Sequence, residues 1–371
     1  MNSIVEIREV KSKNEWSSFK NLPWVINKDD KKWVPPLKLS LNELFNLKSH
    51  PFWSTVSHGF FIAVKDKEVV GRIAVSIPKQ NDKLIGHWGF LEAKEDVAVF
   101  DSLLKKAETL LGEKGCKKVV GPLNPGINYE LGVLVDGFDH PPYFMLSHNP
   151  RYYDSYIKMA GHQKEKDFYS YIINKDEYNA TSKINRVIDA LTRRKKISIR
   201  TVDLKNFDEE LKLLFNIYND AFEKHWGFSA MPMDEFRYMA KDLNKIIDPD
   251  LIFFIYHDSE PAGFLLSLPN INEILIKIRD GKLFPFGFFK YWHHKSKVKT
   301  FRIITIAIKQ KFQHLGLGSF LYQAVAKKSI EKGYLRAELS WVIENNVTMN
   351  KAAAEIGGKI YKTYRLYSKE I

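Results

Sequence analysis

The chain has 371 residues, which is long for a single domain, and 44% of them are hydrophobic, as in globular proteins. Its net charge of +13 favours acidic ligands such as phosphates, nucleic acid or an anionic membrane surface. The single cysteine, Cys116, excludes an internal disulfide and a CxxC metal site. The N-terminus lacks a signal-peptide core and no apolar run approaches a membrane span, so we expect a cytoplasmic protein, soluble or peripheral at the inner membrane face.

The first half of the chain shows a regular succession of predicted elements. Period-two alternation indicates strands, and apolar residues at 3.6-residue spacing indicate helices. In chain order the elements are a strand at 4–10, a helix at 14–22, a hairpin at 60–77, a strand at 84–91, a helix at 96–112, a strand at 117–121, a helix at 149–160 and a strand at 168–173.

The second half repeats this succession. Its elements are a strand at 197–202, helices at 209–222 and 234–246, a hairpin at 251–268, an insertion at 270–300, a strand at 303–308, a helix from 317, a strand at 335–342, a helix at 345–355 and a strand at 360–367. The two hairpins share one turn pattern, Asp66-x-Glu68-x-x-Gly71 and Asp258-x-Glu260-x-x-Gly263. Self-similarity at this period predicts a duplicated domain.

We therefore predict an α/β fold with a mixed sheet, built as two tandem domains. The first domain is predicted at 1–174, a linker helix at 175–196 and the second domain at 197–371.

A glycine-containing turn between a strand and a helix is the most informative stretch. Gln313, Gly316 and Gly318 lie between the strand at 303–308 and the following helix. Glycines at the start of a helix let backbone N–H groups converge on an anion, and the helix dipole favours negative charge there. Between residues 281 and 330 there is no Asp or Glu, but there are nine lysines and one arginine. The stretch therefore predicts a site for a polyanion such as a pyrophosphate.

Other phosphate loops do not fit this stretch. A Walker loop requires Lys-Ser/Thr after its last glycine, but Ser319-Phe320 follows here, and the dinucleotide fingerprint requires a glycine where Leu321 stands. The remaining pattern, Gln313-x-x-Gly316-x-Gly318, resembles the coenzyme A pyrophosphate loop of the GNAT acyl-CoA N-acyltransferase superfamily. A simple tight turn between strand and helix is the structural alternative.

The resemblance extends over nearly the whole chain, because the order of elements in each half is that of the GNAT fold. It implies two tandem GNAT-like domains with the coenzyme loop in the C-terminal half only. At the equivalent N-terminal position the chain carries Glu92, Glu95 and Asp96, which would repel a pyrophosphate. The first domain is therefore expected to be a degenerate copy.

The resemblance also implies a binding site for an acyl-CoA co-substrate, acetyl-CoA or longer, without a metal. In the family the coenzyme lies between two strands that part, here the strands at 303–308 and 335–342. The implied coenzyme-binding residues are Ile306, Ala307, Ile308, Gln313, His314, Leu315, Gly316, Leu317, Gly318, Ser319 and Asn346.

The catalytic groups are less clearly marked. The family's usual acid, a tyrosine, is replaced by Ala353; Tyr364 or Tyr361 is a substitute, or the thiolate leaves unaided. Glu338 is our candidate general base, because strand alternation places it on a polar face that a cleft would explain. The alternative for Glu338 is a surface ion pair with Arg336.

The amine acceptor is expected to contact residues of two loops. Trp226 and Phe228 flank a glycine after the first helix of the second half, and Asn128 and Tyr129 lie in a long loop rich in glycine and proline. A local aromatic staple and a structural turn are the respective alternatives.

The insertion before the central strand mixes aromatic residues with lysines. Four phenylalanines lie between 284 and 289 among helix-breaking residues, and five lysines surround them between 282 and 299. This mixture suits a membrane interface, whereas the alternative is that the phenylalanines fill the space between the two halves.

The prediction from sequence is an N-acyltransferase that moves an acyl group from coenzyme A to an amine. A long-chain enzyme that acts on a lipid-like amine at the membrane surface is one alternative. A catalytically inactive module that binds coenzyme A or nucleic acid is another, although no RNP-type signature accompanies the basic residues and nucleic acid is not expected. No oligomeric state is predicted.

Overall fold

The computed structural model describes residues 4–79, 84–178, 197–228 and 230–371. Contacts group the chain into two compact units: unit 1 comprises Met1–Phe168, Asn272–His293 and Lys362–Ile371, and unit 2 comprises Tyr169–Ile271 and His294–Tyr361. The predicted linker helix lies outside the described residues over 179–196. The predicted domain limits at 174 and 197 stay predictions.

Fifteen strands are described. They are β1 Glu6–Glu9, β2 Val56–Lys65, β3 Glu68–Pro78, β4 Ile85–Ala93, β5 Lys118–Gly121, β6 Leu123–Asn124, β7 Glu130–Leu131, β8 Val133–Asp136, β9 Gln163–Asn174, β10 Ile197–Thr201, β11 Ile252–His257, β12 Glu260–Pro269, β13 Thr300–Ile308, β14 Arg336–Ile343 and β15 Lys359–Glu370.

The described α-helices connect these strands. They are α1 Lys13–Ile26, α2 Lys38–Leu44, α3 Pro51–Thr55, α4 Val97–Glu113, α5 Tyr153–Met159, α6 Phe207–Phe222, α7 Met233–Leu243, α8 Asn272–Leu275, α9 Phe286–Lys295, α10 Leu317–Glu331 and α11 Val347–Glu355. No helix in the described ranges has both the length and the apolar character that a membrane crossing requires.

The strand pairing of unit 1 follows the predicted order. Strands β1 to β4 pair as antiparallel neighbours in sequence order, and β4 then pairs with β5 in parallel. Helix α4 covers the sheet with a buried stripe that includes Val99, Leu103 and Ala107, as its apolar spacing predicts.

Unit 2 repeats this pairing with its own strands. Strands β10 to β13 are antiparallel neighbours, and β13 pairs with β14 in parallel. Helix α10 connects the parallel strands and buries Leu317, Leu321 and Val325 in the core of the unit. The repeated topology confirms the predicted mixed α/β fold and the duplication.

The hairpin turns of the two units are also alike. Asp66 and Lys67 have φ of 50° and 68°, and Asp258 and Ser259 have φ of 47° and 66°. Two consecutive left-handed residues form the turn that matches the twist of a two-residue hairpin. The shared turn pattern in the sequence therefore corresponds to a shared backbone conformation.

The insertion differs from its prediction. Residues 283–289 were expected to lack a helix because of Pro285 and Gly287, but α9 begins at Phe286 and includes Gly287. The proline immediately precedes the helix, where its missing N–H costs no intrahelical hydrogen bond and its fixed φ suits a helix start. Pro285 and Gly287 therefore do not exclude a helix in this stretch, because α9 begins directly after the proline.

The fold makes a stability prediction at Gly89 of β4. A β-carbon at this position would lie 1.8 Å from the carbonyl oxygen of Leu123, so Gly89→Ala must displace backbone. We expect a loss of about 1–3 kcal/mol in the free energy of unfolding, measured by urea titration.

Gly112→Ala is the matched control for this substitution. Its β-carbon would meet only the Ile371 side chain, at 3.7 Å, and the residue lies in α4. Alanine there should be neutral or stabilising by up to about 1 kcal/mol. Equal effects of the two substitutions would contradict the close approach of β6 to β4.

Candidate active site

The predicted coenzyme loop of unit 2 forms the start of α10. Strand β13 ends at Ile308, a 3₁₀ turn follows over Gln310–Leu315, and Gly316 adopts φ 69°, ψ 21° as the residue before the helix. No side chain caps the first turn of α10 in the described chain, and a β-carbon on Gly318 would have no atom within 4 Å. The loop thus presents helix N–H groups beside open space.

Other residues of this loop have structural partners. Gln313 donates a hydrogen bond from Nε2 to the carbonyl oxygen of Ile308, at 3.1 Å, and so ties the turn to the end of the strand. Its side chain and that of His314 are exposed, Leu315 is half-buried, and Leu317 is buried in the core. The backbone N–H of Ser319 donates to the Gly316 carbonyl oxygen at 3.1 Å.

The electrostatic surroundings differ from the acid-free sequence stretch. Asp220 of α6 accepts from the backbone N–H of Gln310 at 2.7 Å, and Glu223 accepts from its side chain at 3.0 Å. Lys311 pairs with Glu260 at 2.6 Å. Carboxylates distant in sequence therefore contact the turn before Gly316, so the surroundings of this turn are not free of acidic groups.

Strands β13 and β14 part beside this loop. Their parallel register runs from Thr300, opposite Arg336, to Ile303, opposite Leu339, and ends there in the described structure, although both strands continue. The β12–β13 register shifts between Leu266 and Ser267, at the same level. Such an irregularity bends a strand and increases its twist, which moves it away from a neighbour.

The backbone of β13 beyond this point has a defined direction. The N–H of Lys309 donates to the carbonyl oxygen of Ala262 in β12, at 2.9 Å. Because hydrogen bonding alternates along an antiparallel strand, the peptide groups of Ala307 also face β12, whereas those of Ile306 and Ile308 face the side from which β14 has parted. The peptide groups of Ile306 and the N–H of Ile308 thus face the gap between the strands, whereas the Ile308 carbonyl oxygen accepts from Gln313 at 3.1 Å.

The corresponding helix start in unit 1 is closed by the chain itself. Asp96 precedes α4, and its carboxylate accepts from the Ala98 N–H at 2.9 Å and from Lys65 at 2.6 Å. The place of an external anion is therefore taken by an internal carboxylate. Unit 2 has Gly316 at this position and no such carboxylate.

The corresponding strand edge in unit 1 is also closed. The backbone N–H of Lys94 donates to the Val70 carbonyl oxygen, as the N–H of Lys309 donates to the Ala262 carbonyl oxygen. Lys94 therefore corresponds to Lys309, and the preceding residue, Ala93, corresponds to Ile308. The N–H of Ala93 donates to the Tyr153 hydroxyl at 3.0 Å, and its carbonyl accepts from the Tyr152 hydroxyl at 2.7 Å.

Two further groups fill the same region of unit 1. The N–H of Phe90 donates to the Asn124 side chain at 2.6 Å. Glu92, which was expected from the sequence to repel a pyrophosphate, is half-buried, and its carboxylate accepts from the Tyr153 hydroxyl at 3.0 Å. Burial raises the pKa of Glu92, whereas Arg72, 3.8 Å away, acts in the opposite sense.

Glu338, the candidate base, lies at the point where the strands part. It is fully buried and its carboxylate is 3.3 Å from Nε of Arg302, which is 1% exposed. Arg302 also donates to the Ser340 hydroxyl at 3.2 Å and stacks over Trp341 at 4.8 Å. Arg336 instead donates to Asn174 on the outside, so the surface pair with Glu338 is excluded.

Tyr364 and Asn346 have structural environments that the sequence did not reveal. Tyr364 is fully buried on β15, opposite Leu134, and belongs to unit 1, whereas Glu338 belongs to unit 2. Asn346 caps α11 by accepting from the Met349 N–H at 3.1 Å. The proposed catalytic and coenzyme roles of these residues stay predictions.

The four candidate acceptor residues are divided between the units. In unit 1, Tyr129 packs its ring 5.7 Å from Phe52, and Asn128 precedes it in the loop after β6. In unit 2, Phe228 lies 6.3 Å from Tyr218, and Trp226 is partly exposed. Contact with an acceptor stays a prediction for all four.

Asn350 is a positioning residue that sequence reasoning missed. Its Nδ2 donates to the carbonyl oxygens of Ile343, Glu344 and Asn346, and its Oδ1 accepts from the Tyr171 hydroxyl at 2.8 Å. These bonds fix the turn between β14 and α11. An asparagine inside a helix is unfavourable unless its side chain is used, and that signal was present in the sequence.

A separate, small apolar depression lies at the other end of β13 and β14. Phe301, Ala337, Val325 and Tyr178 are among its lining residues, and the helix start at Gly316 is not. It therefore does not mark the predicted coenzyme site. In the described residues, no group of three or more His, Cys, Asp and Glu side chains is arranged to hold a metal ion.

Comparison with known proteins identifies the family. The model of the acetyltransferase (GNAT) family matches residues 211–357. A bacterial ceramide synthase from Caulobacter vibrioides (strain NA1000 / CB15N) is 35% identical over 384 residues, which cover 100% of this chain and 98% of the relative. The chain belongs to the GNAT acyltransferase family.

Further comparisons agree with this GNAT assignment. Protein YghO of Escherichia coli (strain K12) is 32% identical over 98% of this chain and 95% of its own length. The tandem GNAT protein from the clavulanic acid biosynthesis pathway has a TM-score of 0.57 at 10% identity, covering 99% of this chain and 98% of that one, and shows the same tandem fold. As a member of the GNAT family, the 371-residue protein is an acyltransferase, and this family uses acyl-CoA as co-substrate.

The burial of Glu338 generates a prediction about stability. Glu338→Ala would leave the Arg302 guanidinium buried without its carboxylate, and we expect a loss of about 3–5 kcal/mol in the free energy of unfolding. Urea titration followed by circular dichroism measures it.

Glu331→Ala is the matched control, because Glu331 and Lys328 form an exposed pair at 3.7 Å. Its loss should stay below about 1 kcal/mol. A Glu338→Ala protein as stable as this control would show that the carboxylate is dispensable for folding.

Proposed function

We propose that unit 2 binds an acyl-CoA and that the enzyme transfers the acyl group to an amine. The observation that carries this proposal is the strand edge formed by the Ile306 peptide groups and the Ile308 N–H, together with the helix start at Gly316 that no side chain caps. The amide groups of the pantetheine arm would pair with that edge as an added strand does. The pyrophosphate would lie against the N–H groups of α10.

The chemistry requires positioning more than covalent catalysis. A neutral amine attacks the thioester carbonyl carbon, the tetrahedral intermediate collapses with release of the coenzyme thiolate, and the amine loses a proton. Holding both reactants in a near-attack geometry supplies much of the acceleration. Ala353 offers no hydroxyl to protonate the thiolate, so we assign that proton to no residue of α11.

Glu338 has two roles that the proposal keeps apart. A general base must reach the amine directly or through one water. A carboxylate that is fully buried beside Arg302 is better suited to holding the two strands together at a fixed point. We therefore retain Glu338 as the predicted base only for the case in which its substitution lowers turnover without lowering stability.

The comparison between units supports a single coenzyme site. In unit 1 the helix start is capped by Asp96 and the strand edge is bonded to Tyr152, Tyr153 and Asn124. An incoming coenzyme would have to displace all of these groups. We propose that unit 1 is a degenerate copy that binds no coenzyme and helps to shape the site of the acceptor.

The acceptor is best assigned to lipid-like amines, with a long-chain acyl donor. One relative is named a bacterial ceramide synthase, and a ceramide is a lipid amide. The described part of the insertion also exposes several aromatic side chains, which an enzyme for small polar substrates does not require. We accordingly propose action at a membrane surface rather than acetylation of a soluble amine.

Substitution of Gly318 tests the coenzyme site. Because a β-carbon there has open space, Gly318→Glu should fold normally but place a carboxylate beside the pyrophosphate. We expect KM for acyl-CoA to rise by about tenfold or more through charge repulsion. Thiol release measures turnover, and titration calorimetry measures binding.

Gly318→Ala controls for the added side chain and should bind as the native protein does. Equal affinities of the Glu and Ala variants would place the coenzyme elsewhere. Absence of thiol release with every amine, despite calorimetric binding, would identify an inactive coenzyme-binding protein instead.

Chain-length preference tests the substrate class. With a long-chain amino alcohol as acceptor, we expect kcat/KM for palmitoyl-CoA to exceed that for acetyl-CoA by about tenfold or more, because each buried methylene contributes about 0.8 kcal/mol. Product is quantified by mass spectrometry. Equal kcat/KM values for the two donors would refute the long-chain assignment while leaving the acyltransferase itself intact.

A further inference from the structure

An exposed cluster of aromatic side chains projects from the insertion within unit 1. Phe284 is 67% exposed, Phe288 41%, Phe289 69% and Trp292 73%. These four side chains face solvent. Exposed aromatic groups on this scale mark an interaction surface rather than scattered surface residues.

The rings form one continuous apolar surface. The Phe284 and Phe288 rings are stacked at 5.7 Å, and Phe288 lies 6.3 Å from Trp292 one helical turn later. Phe289 contacts Phe288 edge-on at 6.2 Å. Along α9, Trp292 follows Phe289 by three residues and Phe288 by four, and both spacings bring side chains together on one side of a helix. The rings can therefore enter an apolar phase together.

Lysines border this surface. Lys282 and Lys290 are exposed on the same segment, and no Asp or Glu occurs between residues 281 and 330. We name Phe284, Phe288, Phe289, Trp292, Lys282 and Lys290 the aromatic–lysine patch. Its composition is complementary to a partner that has an anionic surface layer above an apolar interior.

The patch is firmly attached to unit 1. Arg279, just before it, donates to the carbonyl oxygens of Trp33 at 2.6 Å and Asp30 at 2.9 Å. Gly281 accepts from the Lys38 N–H at 2.9 Å, and Trp24 donates to the Arg279 carbonyl at 3.0 Å. These bonds fix the chain directly before the patch, and a fixed segment loses less conformational entropy on binding than a disordered one.

We propose that the aromatic–lysine patch docks the protein on an anionic phospholipid bilayer. The rings of Phe and Trp are suited to the boundary between headgroups and acyl chains, and lysines nearby are attracted to the anionic headgroups. Each lysine near such a leaflet strengthens binding by about fivefold. A protein partner with an apolar groove would favour the rings but would not require the lysines.

This inference deepens the proposed function, since a lipid-like acceptor would be taken from the same leaflet. Its test does not depend on turnover, so failure of docking and failure of acyl transfer are separate results. Docking concerns unit 1, whereas the proposed coenzyme site belongs to unit 2.

Vesicle co-sedimentation tests the docking surface. The full-length protein is mixed with phosphatidylcholine vesicles, with and without phosphatidylserine, and the bound fraction is measured across a salt series. We expect binding to the anionic vesicles that weakens as salt rises. Phe289→Ser with Trp292→Ser, and separately Lys282→Glu with Lys290→Glu, should each lower the partition coefficient by about tenfold or more.

Ile4→Ser with Met159→Ser is the matched control. Both residues are exposed apolar side chains of unit 1, 88% and 67% exposed, outside the patch. This variant should bind vesicles as the native protein does, and thermal melts should show all variants folded. Native-like vesicle binding by the patch variants would overturn the proposal.

Self-association gives a second way to overturn it. If sedimentation velocity shows a dimer that the Phe289→Ser, Trp292→Ser protein loses, while vesicles bind neither protein, the patch is a protein interface and not a membrane-docking surface.

Discussion

The early end of the ladder between β13 and β14 is the constraint on which the proposed site depends. Two parallel strands that pair along their whole length satisfy each other's peptide groups and leave no edge for a ligand. Here pairing stops at Ile303 and Leu339, and the register shift near Leu266 bends β13 at that level. The peptide groups beyond it must find other partners, because unpaired backbone groups away from water are costly.

The two units resolve this requirement in different ways. Unit 1 supplies internal partners: the hydroxyls of Tyr152 and Tyr153 bond to Ala93, and the Asn124 amide bonds to Phe90. In unit 2 the equivalent edge is that of Ile306 and the Ile308 N–H, and the helix that follows is preceded by Gly316 where unit 1 has Asp96. The two units therefore share this arrangement of strands and helix, while a few polar side chains occupy the strand edge in unit 1. Asp96 supplies a side-chain carboxylate to the first turn of α4, whereas Gly316 supplies none to the first turn of α10.

Much of this could be predicted from sequence because it depends on local chemistry. Alternating strands, an apolar helical stripe at Val99 and Leu103, and the left-handed hairpin turns at Asp66 and Asp258 are all set by neighbours in the chain. The loop with Gly316 was found for the same reason. The contacts of Asp220 and Glu260 with that loop could not be found, because they join residues far apart in sequence. Helix α9 was missed because Pro285 marks a helix start as well as a break.

Glu338 shows what the alternation of residues along a strand can predict and what it cannot. Alternation correctly separated a polar face from an apolar one on β14, but polarity alone does not distinguish a solvent-filled cleft from a buried ion pair. The decisive residue, Arg302, lies directly opposite on β13, and its identity as the partner requires the parallel register. Once the guanidinium is in place, removing the carboxylate becomes costly whatever the chemistry of the site, since a buried charge loses its counter-ion. The pair therefore anchors the two strands one level before their pairing ends at Ile303 and Leu339, at the start of the gap between them.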